Sequence, residues 1–345
     1  MTTEAAGDWL VAGSVWWAGR LGGPAALRLT GGVVHGGPVP VSAVPAGARR
    51  RKLPGTLLPG LGDAHVHSAL VHLPAVRAGG LAWVWDLGGV PDRVAALRDR
   101  AGAGVAGLPR MRIAGPFLTA PGGYPTDRAW APAGSCREIR SAADAAEAVA
   151  EGKAVGADLV KVTAHTGGPT LAPPVLAAVA EAAHAGGLRV VVHAEGPGTV
   201  AAAVAAGADL LGHTPWTQRE DDALLRDAAA GGMTWISTLD IHGWGRSTAE
   251  LGAAIDNLRR FLAYGGTVAY GTDLGNGPLV AGVNPREVSA LQRAGLTPDE
   301  VLIAMTGDAA GGPPCWIPGG LDLEATRFAE VLATARVVGT EVRPR

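Results

Sequence analysis

Short apolar runs alternate with Ala-rich helical segments along most of the chain. β-type runs such as LAWVWDLGG and LRVVVHAE are followed by segments such as PDRVAALRDRAG and GTVAAAVAAGA, whose apolar residues recur at helical spacing. From TLLPGLGDAHVH onward there are eight β-type runs, most of them followed by a helix. This count predicts an α/β protein with a TIM-like (β/α)₈ barrel. A doubly wound open sheet is the alternative, but it would not ordinarily need eight units.

The two ends of the chain have a different pattern. Residues 1–57 contain short apolar pieces separated by Gly and Pro without a helical period, which is typical of strands and turns. The tail after Gly311 (PPCWIPGG, then FAEVLATARVVGTEVRP) is again strand-like. We therefore expect two domains: a barrel formed by residues 58–311, and a small flanking β-sandwich formed by residues 1–57 together with 312–345.

Composition narrows the class of protein. The chain has 345 residues, of which 48% are hydrophobic and 17% charged, so it can bury a large core without disulfides. A net charge of −2 gives no electrostatic reason to expect nucleic acid or a membrane surface as partner. No apolar run reaches the ~20 residues of a membrane span, and no signal peptide is recognisable. Cys136 and Cys315 lack metal-type spacing and fit a reducing compartment, so we expect a cytoplasmic protein.

Four histidines and one aspartate stand at the ends of strand-like runs. His65 and His67 close LPGLGDAHVH and, two residues apart on a strand, point to the same face. His193 follows in VVHAEG, His213 in LGHTPW and Asp273 in YGTDLG. Any one of these could be a packed histidine or a turn aspartate. Because strand ends meet at one mouth of a barrel, the joint set favours a divalent metal such as zinc with an open position for water.

A lysine lies inside another apolar strand. Lys161 in DLVKVT would be costly to bury as an ammonium unless it reaches a nearby acid. With an ordinary pKa of about 10.4 it cannot bind a metal, but a carbamate formed with CO₂ is an anionic oxygen donor able to bridge two cations.

These motifs resemble the amidohydrolase superfamily, and within it the imidazolonepropionase-like branch that includes metal-dependent Xaa-Pro dipeptidases. The resemblance extends over most of residues 50–311, through LPGLGDAHVH, VKVTAHTGG, AAHAGGLRVVVHAEGPGTVAAAVAAGADLLGHT, YGTDLG and LQRAGLTPDEVLIAMTGDAAG. It implies one metal held by His65, His67, Lys161 and Asp273, and a second held by carboxylated Lys161, His193 and His213. Two zinc ions are expected, with manganese or iron as alternatives, and Asp273 would act as general base and acid. Some members use a single metal; Lys161 favours two.

The loops depart from the family pattern. Where the branch often has Gly-Gly-His, this chain has PGGYP with Tyr124, and its tail is shortened. Tyr124 and three residues near the same mouth (His165, Trp216 and His242) are candidates for substrate binding, although each could be structural. Trp130 and Trp244 could add to a flat-sided apolar pocket.

The expected function is hydrolysis of a C–N bond in a small amide, cyclic amide or dipeptide by metal-activated hydroxide. A lactonase or esterase could use the same site, and so could a mononuclear deaminase, for which Glu195 is the obvious acid–base candidate. A non-catalytic metal-binding barrel is the alternative of another class, but it would not need Asp273 for proton transfer. The expected partner is a small-molecule substrate, and a homo-oligomer remains open.

Overall fold

The computed structural model describes residues 7–105, 107–307 and 312–339. The strands are β1 (Asp8–Trp17), β2 (Arg20–Gly22), β3 (Ala25–Thr30), β4 (Val33–Pro40), β5 (Arg50–Leu58), β6 (Gly62–Val66), β7 (Trp83–Asp86), β8 (Arg110–Ile113), β9 (Phe117–Thr119), β10 (Cys136–Glu138), β11 (Leu159–His165), β12 (Arg189–Glu195), β13 (Leu210–Leu211), β14 (Thr234–Ile236), β15 (Thr267–Ala269), β16 (Cys315–Ile317) and β17 (Arg336–Val337). The helices are α1 (Leu73–Ala78), α2 (Pro91–Gly102), α3 (Ala142–Ala154), α4 (Pro173–Ala185), α5 (Thr199–Ala205), α6 (Asp222–Ala230), α7 (Ala249–Ala263), α8 (Pro285–Arg293), α9 (Pro298–Thr306) and α10 (Ala325–Leu332).

Two parallel sheets form the middle of the chain. One has the order β6-β7-β8, and the other has the order β10-β9-β11-β12-β13-β14-β15. Several of their strands are buried on both faces, as in the run Val190, Val191 and Val192, which explains why these segments are almost continuously apolar. Helices follow most of these strands, and the predicted α/β class is confirmed.

The apolar run MRIAGPFLT forms two strands, β8 and β9. Gly115 has a positive φ of 70° and Pro116 has no N–H to donate, so the hydrogen-bond ladder breaks between them. β8 pairs with β7, whereas β9 pairs with β11. One segment of chain therefore contacts both parallel sheets.

The opposite edges of the two sheets also meet. Val66 forms a parallel bridge with Leu274, and the Leu274 N–H donates to the His65 carbonyl at 3.0 Å. The His67 N–H in turn donates to the Leu274 carbonyl at 2.8 Å. These bonds place the end of β6 beside the segment that carries Asp273.

Both ends of the described chain contribute to a third sheet. Its order is β17-β16-β5-β1-β3-β4, with β2 paired to β1. Antiparallel pairing of β5 with β16 joins the two terminal segments, as expected, but the strands form one sheet and the predicted sandwich is not confirmed. The tail was also predicted as strand throughout, which is wrong for α10: Phe328, Ala329 and Leu332 recur at helical spacing and are buried. Residues 1–6, 308–311 and 340–345, included in the predicted domains, lie outside the described residues.

No helix among the described residues is both long and apolar enough to cross a membrane.

Candidate metal centre

A cavity of about 380 Å³ lies where the parallel strands end. The six residues predicted as metal ligands all line it: His65, His67, Lys161, His193, His213 and Asp273. They lie on or just after five different strands, β6, β11, β12, β13 and β15. The structure thus brings together side chains that are far apart in sequence.

His65, His67 and Asp273 form the tightest group. Asp273 Oδ1 lies 3.2 Å from His65 Nε2 and 3.1 Å from His67 Nε2. Ligand atoms bound tetrahedrally to zinc at 2.0–2.1 Å are about 3.3 Å apart. Both distances therefore match the spacing of two ligand atoms on one metal, and all three atoms lie within 4.8 Å of one another.

The other ring nitrogens of both histidines are already occupied. His65 Nδ1 lies 2.6 Å from the Gly212 carbonyl oxygen, and His67 Nδ1 lies 3.4 Å from that of Gly88. A carbonyl only accepts hydrogen bonds, so these contacts favour the tautomer with the proton on Nδ1, which leaves each Nε2 lone pair available to a metal. The two rings and Asp273 are therefore candidate ligands of one cation.

The charge states agree with this interpretation. Burial lowers the pKa of His65 well below its ordinary value, so the ring is neutral and available as a ligand. Burial raises the pKa of Asp273, but positive charge among the adjacent His65, His67 and His213, or on a cation held by them, outweighs it and keeps the pKa well below the usual range. Asp273 is therefore an ionised carboxylate, and its Oδ2 accepts a hydrogen bond from Asn276 Nδ2 at 2.9 Å.

Two buried carboxylates hold the backbone around this group. Asp63 accepts hydrogen bonds from the backbone N–H groups of His65 and Thr272, at 2.9 and 3.1 Å, and so joins β6 to the Asp273 segment. Burial raises the pKa of Asp63 to about 7 even though these bonds oppose the shift. Asp86 accepts from the Gly88 N–H at 3.1 Å and helps orient the carbonyl that faces His67. Neither residue was predicted from the sequence, although a single acid within an apolar run was the available signal.

Lys161 is fully buried, and within the described part of the chain its Nζ has no hydrogen-bond partner. Burial lowers its pKa to about 8, and the charge of Asp273 offsets only part of this shift. Gly212 leaves the space for the ammonium group, because a Cβ atom at that position would lie 2.6 Å from Nζ. Among the described residues no carboxylate forms a salt bridge or hydrogen bond with Nζ, and Asp273 acts on it only from a greater distance.

His213 and His193 have different partners. His213 Nδ1 lies 2.9 Å from Thr238 Oγ1, and Thr238 has a φ of 43°, which is unusual for a β-branched residue and typical of functional sites. His193 Nε2 lies 3.0 Å from Glu195 Oε2, and His165 Nδ1 lies 3.0 Å from the same oxygen. His165, His193 and Glu195 therefore form a second group with the spacing of metal ligands.

Three of the four predicted substrate-binding residues line the cavity: Tyr124, Trp216 and His242. Tyr124 stacks on His193 with ring centroids 4.9 Å apart, and Trp216 stacks on His242 at 4.6 Å. The fourth, His165, is not among the lining residues. Of the two further tryptophans, Trp130 lines the cavity, whereas Trp244 does not.

Comparison with solved structures shows which proteins share this fold. The ochratoxinase of A. niger superposes with a TM-score of 0.76 and 18% identity, over 96% of this chain and 94% of that one. A Xaa-Pro dipeptidase with bound methionine gives 0.76 and 17%, over 95% and 96%. Molinate hydrolase gives 0.74 and 16%, over 96% and 93%. These likenesses, all below 25% identity, show that the chain shares the fold of these three hydrolases.

Sequence comparison adds nothing to this result. No family model matches the chain, and no curated protein matches it significantly by sequence.

Proposed function

We propose that the protein is a metal-dependent hydrolase that cleaves a C–N bond in a small amide, a cyclic amide or a dipeptide. The observation that carries the proposal is the convergence of His65 Nε2 and His67 Nε2 on one oxygen of Asp273, at 3.2 and 3.1 Å, with Nδ1 of both rings beside a backbone carbonyl. The shared fold supports the same class of reaction, because the similar structures include a dipeptidase and a hydrolase of molinate.

Two divalent cations, zinc or alternatively manganese or iron, suit the imidazole and carboxylate groups of this cavity. The first set of ligands is His65, His67, Lys161 and Asp273, and the second is Lys161, His193 and His213. Lys161 would contribute to both sets of ligands as a carbamate. In that modification its uncharged Nζ bonds to the carbon of CO₂ and releases one proton. The buried, partnerless Nζ and its lowered pKa support this modification. When bound, such metals lower the pKa of water and polarise the scissile carbonyl.

Asp273 is the group that moves the proton. Its carboxylate is ionised at neutral pH and lies at the cavity, so it can accept a proton from the attacking water. Delivery of the same proton to the leaving nitrogen completes the cleavage and restores the carboxylate. Asn276, bonded to Oδ2, keeps the group oriented between these two transfers.

The proposal includes a closed (β/α)₈ barrel formed by residues 58–311, with a smaller unit from residues 1–57 and 312–345. Two observations support closure. The divided strand β8–β9 pairs with both parallel sheets, and Val66 bridges to Leu274 at their other edges.

Metal analysis combined with a substrate panel tests the function. We expect about two metal ions per chain, and C–N hydrolysis that is lost with a chelator and restored by added metal. Lys161→Gln should lose metal and activity, whereas Lys153→Gln, exposed on α3, should keep both. The panel contains amides, cyclic amides, dipeptides and lactones. A metal-free protein with full activity, or a metal-loaded one with no turnover on the panel, would overturn the proposal.

A further inference from the structure

The part of the cavity beyond the metal-type ligands is aromatic. Trp130 lies beside His67, with ring centroids 5.8 Å apart, and contacts Phe117 at 5.9 Å and Tyr124 at 6.1 Å. These three side chains, called here the first aromatic wall, line the cavity together. Their rings offer flat apolar surface next to one of the histidines.

A second aromatic pair lies beside a different ligand. Trp216 is 5.3 Å from the ring of His213 and stacks on His242 at an angle of 21°. Burial lowers the pKa of His242 to about 4, so its ring is uncharged at neutral pH. Trp216 and His242, the second aromatic wall, therefore present neutral ring surface to the cavity.

The charged side chains that line the cavity are already engaged at the ligand set. Lys161 is buried beneath it, Asp273 faces the two histidines, and Glu195 lies 3.0 Å from nitrogen atoms of His165 and His193. No arginine is among the lining residues in the described part of the chain.

The arginine beside this region does not supply a cation to the cavity. The guanidinium of Arg128 lies over the Tyr124 ring, 5.5 Å from its centroid, and pairs with Asp127 at 3.4 Å. A substrate carboxylate placed against either aromatic wall would lose its water without gaining an ionic partner, which is unfavourable. An uncharged ring would instead bury apolar area against other rings.

We propose that the substrate presents an uncharged aromatic group to the two aromatic walls, so that neutral aromatic amides are cleaved in preference to substrates bearing a free carboxylate. The inference rests on the proposed hydrolysis of a C–N bond. A cavity of about 380 Å³ is large enough for a small amide of this kind.

Matched substrates test the charge and the ring separately. N-benzoylglycinamide and N-benzoylglycine share the benzoyl–nitrogen bond and differ in charge at the other end, and their N-acetyl counterparts lack the ring. Because the glycinamides carry a second amide bond, cleavage is measured from the benzoate or acetate released. For the metal-loaded protein we expect kcat/KM to be at least about tenfold higher for the neutral member of each pair and for benzoyl over acetyl.

Variants of the walls provide the control. Trp130→Ala and Trp216→Ala should each lower kcat/KM for the benzoyl amide by about two- to tenfold and leave the acetyl amide nearly unchanged. Trp216→Phe should retain most of the preference, and Trp9→Ala, on β1 of the third sheet, should retain all of it. Metal content and Tm of each variant identify any that fails to fold.

The outcomes separate the two proposals. If the protein hydrolyses the free acids in preference to the amides, the proposed substrate class is overturned but the proposed function stands. Loss of that preference in Arg128→Ala would identify Arg128 as a carboxylate clamp. Equal losses on benzoyl and acetyl substrates in the tryptophan variants also overturn it. No hydrolysis of any amide by metal-loaded protein refutes the proposed function itself.

Discussion

Replacement of Gly212 by Ala tests whether the position of Lys161 matters for metal binding. The added Cβ would lie 2.6 Å from Lys161 Nζ, which is 0.8 Å short of the 3.4 Å at which ordinary contact begins. The obstructed atom is the end of a flexible side chain, so it can move aside at a cost in stability of about 1 kcal/mol. A metal–ligand bond tolerates only about 0.2 Å of displacement. We therefore expect a folded protein in which the Lys161 head group no longer reaches the metals.

The same methyl group spares the neighbouring ligand. It would lie 3.6 Å from His65 Cε1, an ordinary contact, and the Gly212 carbonyl can still accept from His65 Nδ1. Metal content per chain should fall, and kcat/KM should drop about 10- to 100-fold, with a Tm change of a few degrees. Gly252→Ala, where the structure offers open space, should preserve metal, activity and Tm. Full metal content and activity in Gly212→Ala would refute a ligand role for Lys161.

Three further changes give separate expectations. Asp273→Asn should lower kcat/KM by about 10²- to 10⁴-fold in metal-reloaded protein. Asp92→Asn, at the exposed start of α2, should not lower it. Equal activity of the two variants would show that Asp273 does not transfer the proton. Thr238→Val removes the hydroxyl that contacts His213 Nδ1. In a competition titration it should weaken metal affinity about 10- to 100-fold. Unchanged affinity would contradict the role of Thr238 in orienting His213. Burial raises the pKa of Glu287 from 4.5 to about 7, so its contribution to stability is complete below pH 4.5 and is lost as the pH rises through 7. The loss is about 3 kcal/mol in the wild type, and Gln has no such titration. The Tm of Glu287→Gln relative to the wild type should therefore rise between pH 5 and pH 8. Tm curves that stay parallel over this range would contradict the raised pKa of Glu287.

The positions of the ligand-type residues were predictable because each ends or interrupts an apolar strand. His65 and His67 share a face through their spacing alone, and Lys161 was conspicuous as a charge within a strand. The supports of these residues were not predictable in the same way. Nothing in the sequence says that the Gly212 carbonyl meets His65, or that Thr238 reaches His213, since these contacts depend on the register between strands.

The fold shows the same division between local and distant interactions. Helix α2 follows from apolar spacing within one segment, and the segment PDRVAALRDRAG predicted for it has the same bounds in the structure. The prediction of a strand was wrong at α10 because this short apolar run fits both the helical and the strand period. Packing of Phe328 and Leu332 against the core favours the helix. The division of MRIAGPFLT arises from its pairing with two different sheets, which one segment's pattern does not contain.

The bridge between Val66 and Leu274 also has a consequence for biosynthesis. It joins residues that are far apart along the chain, and contacts of this kind form slowly because a long loop must first be closed. A growing chain therefore exposes His65 and His67 well before Asp273 leaves the ribosome to complete the group. A cation that binds only the closed form stabilises it by mass action. Scarcity of metal during synthesis should then reduce the yield of native protein as well as its turnover.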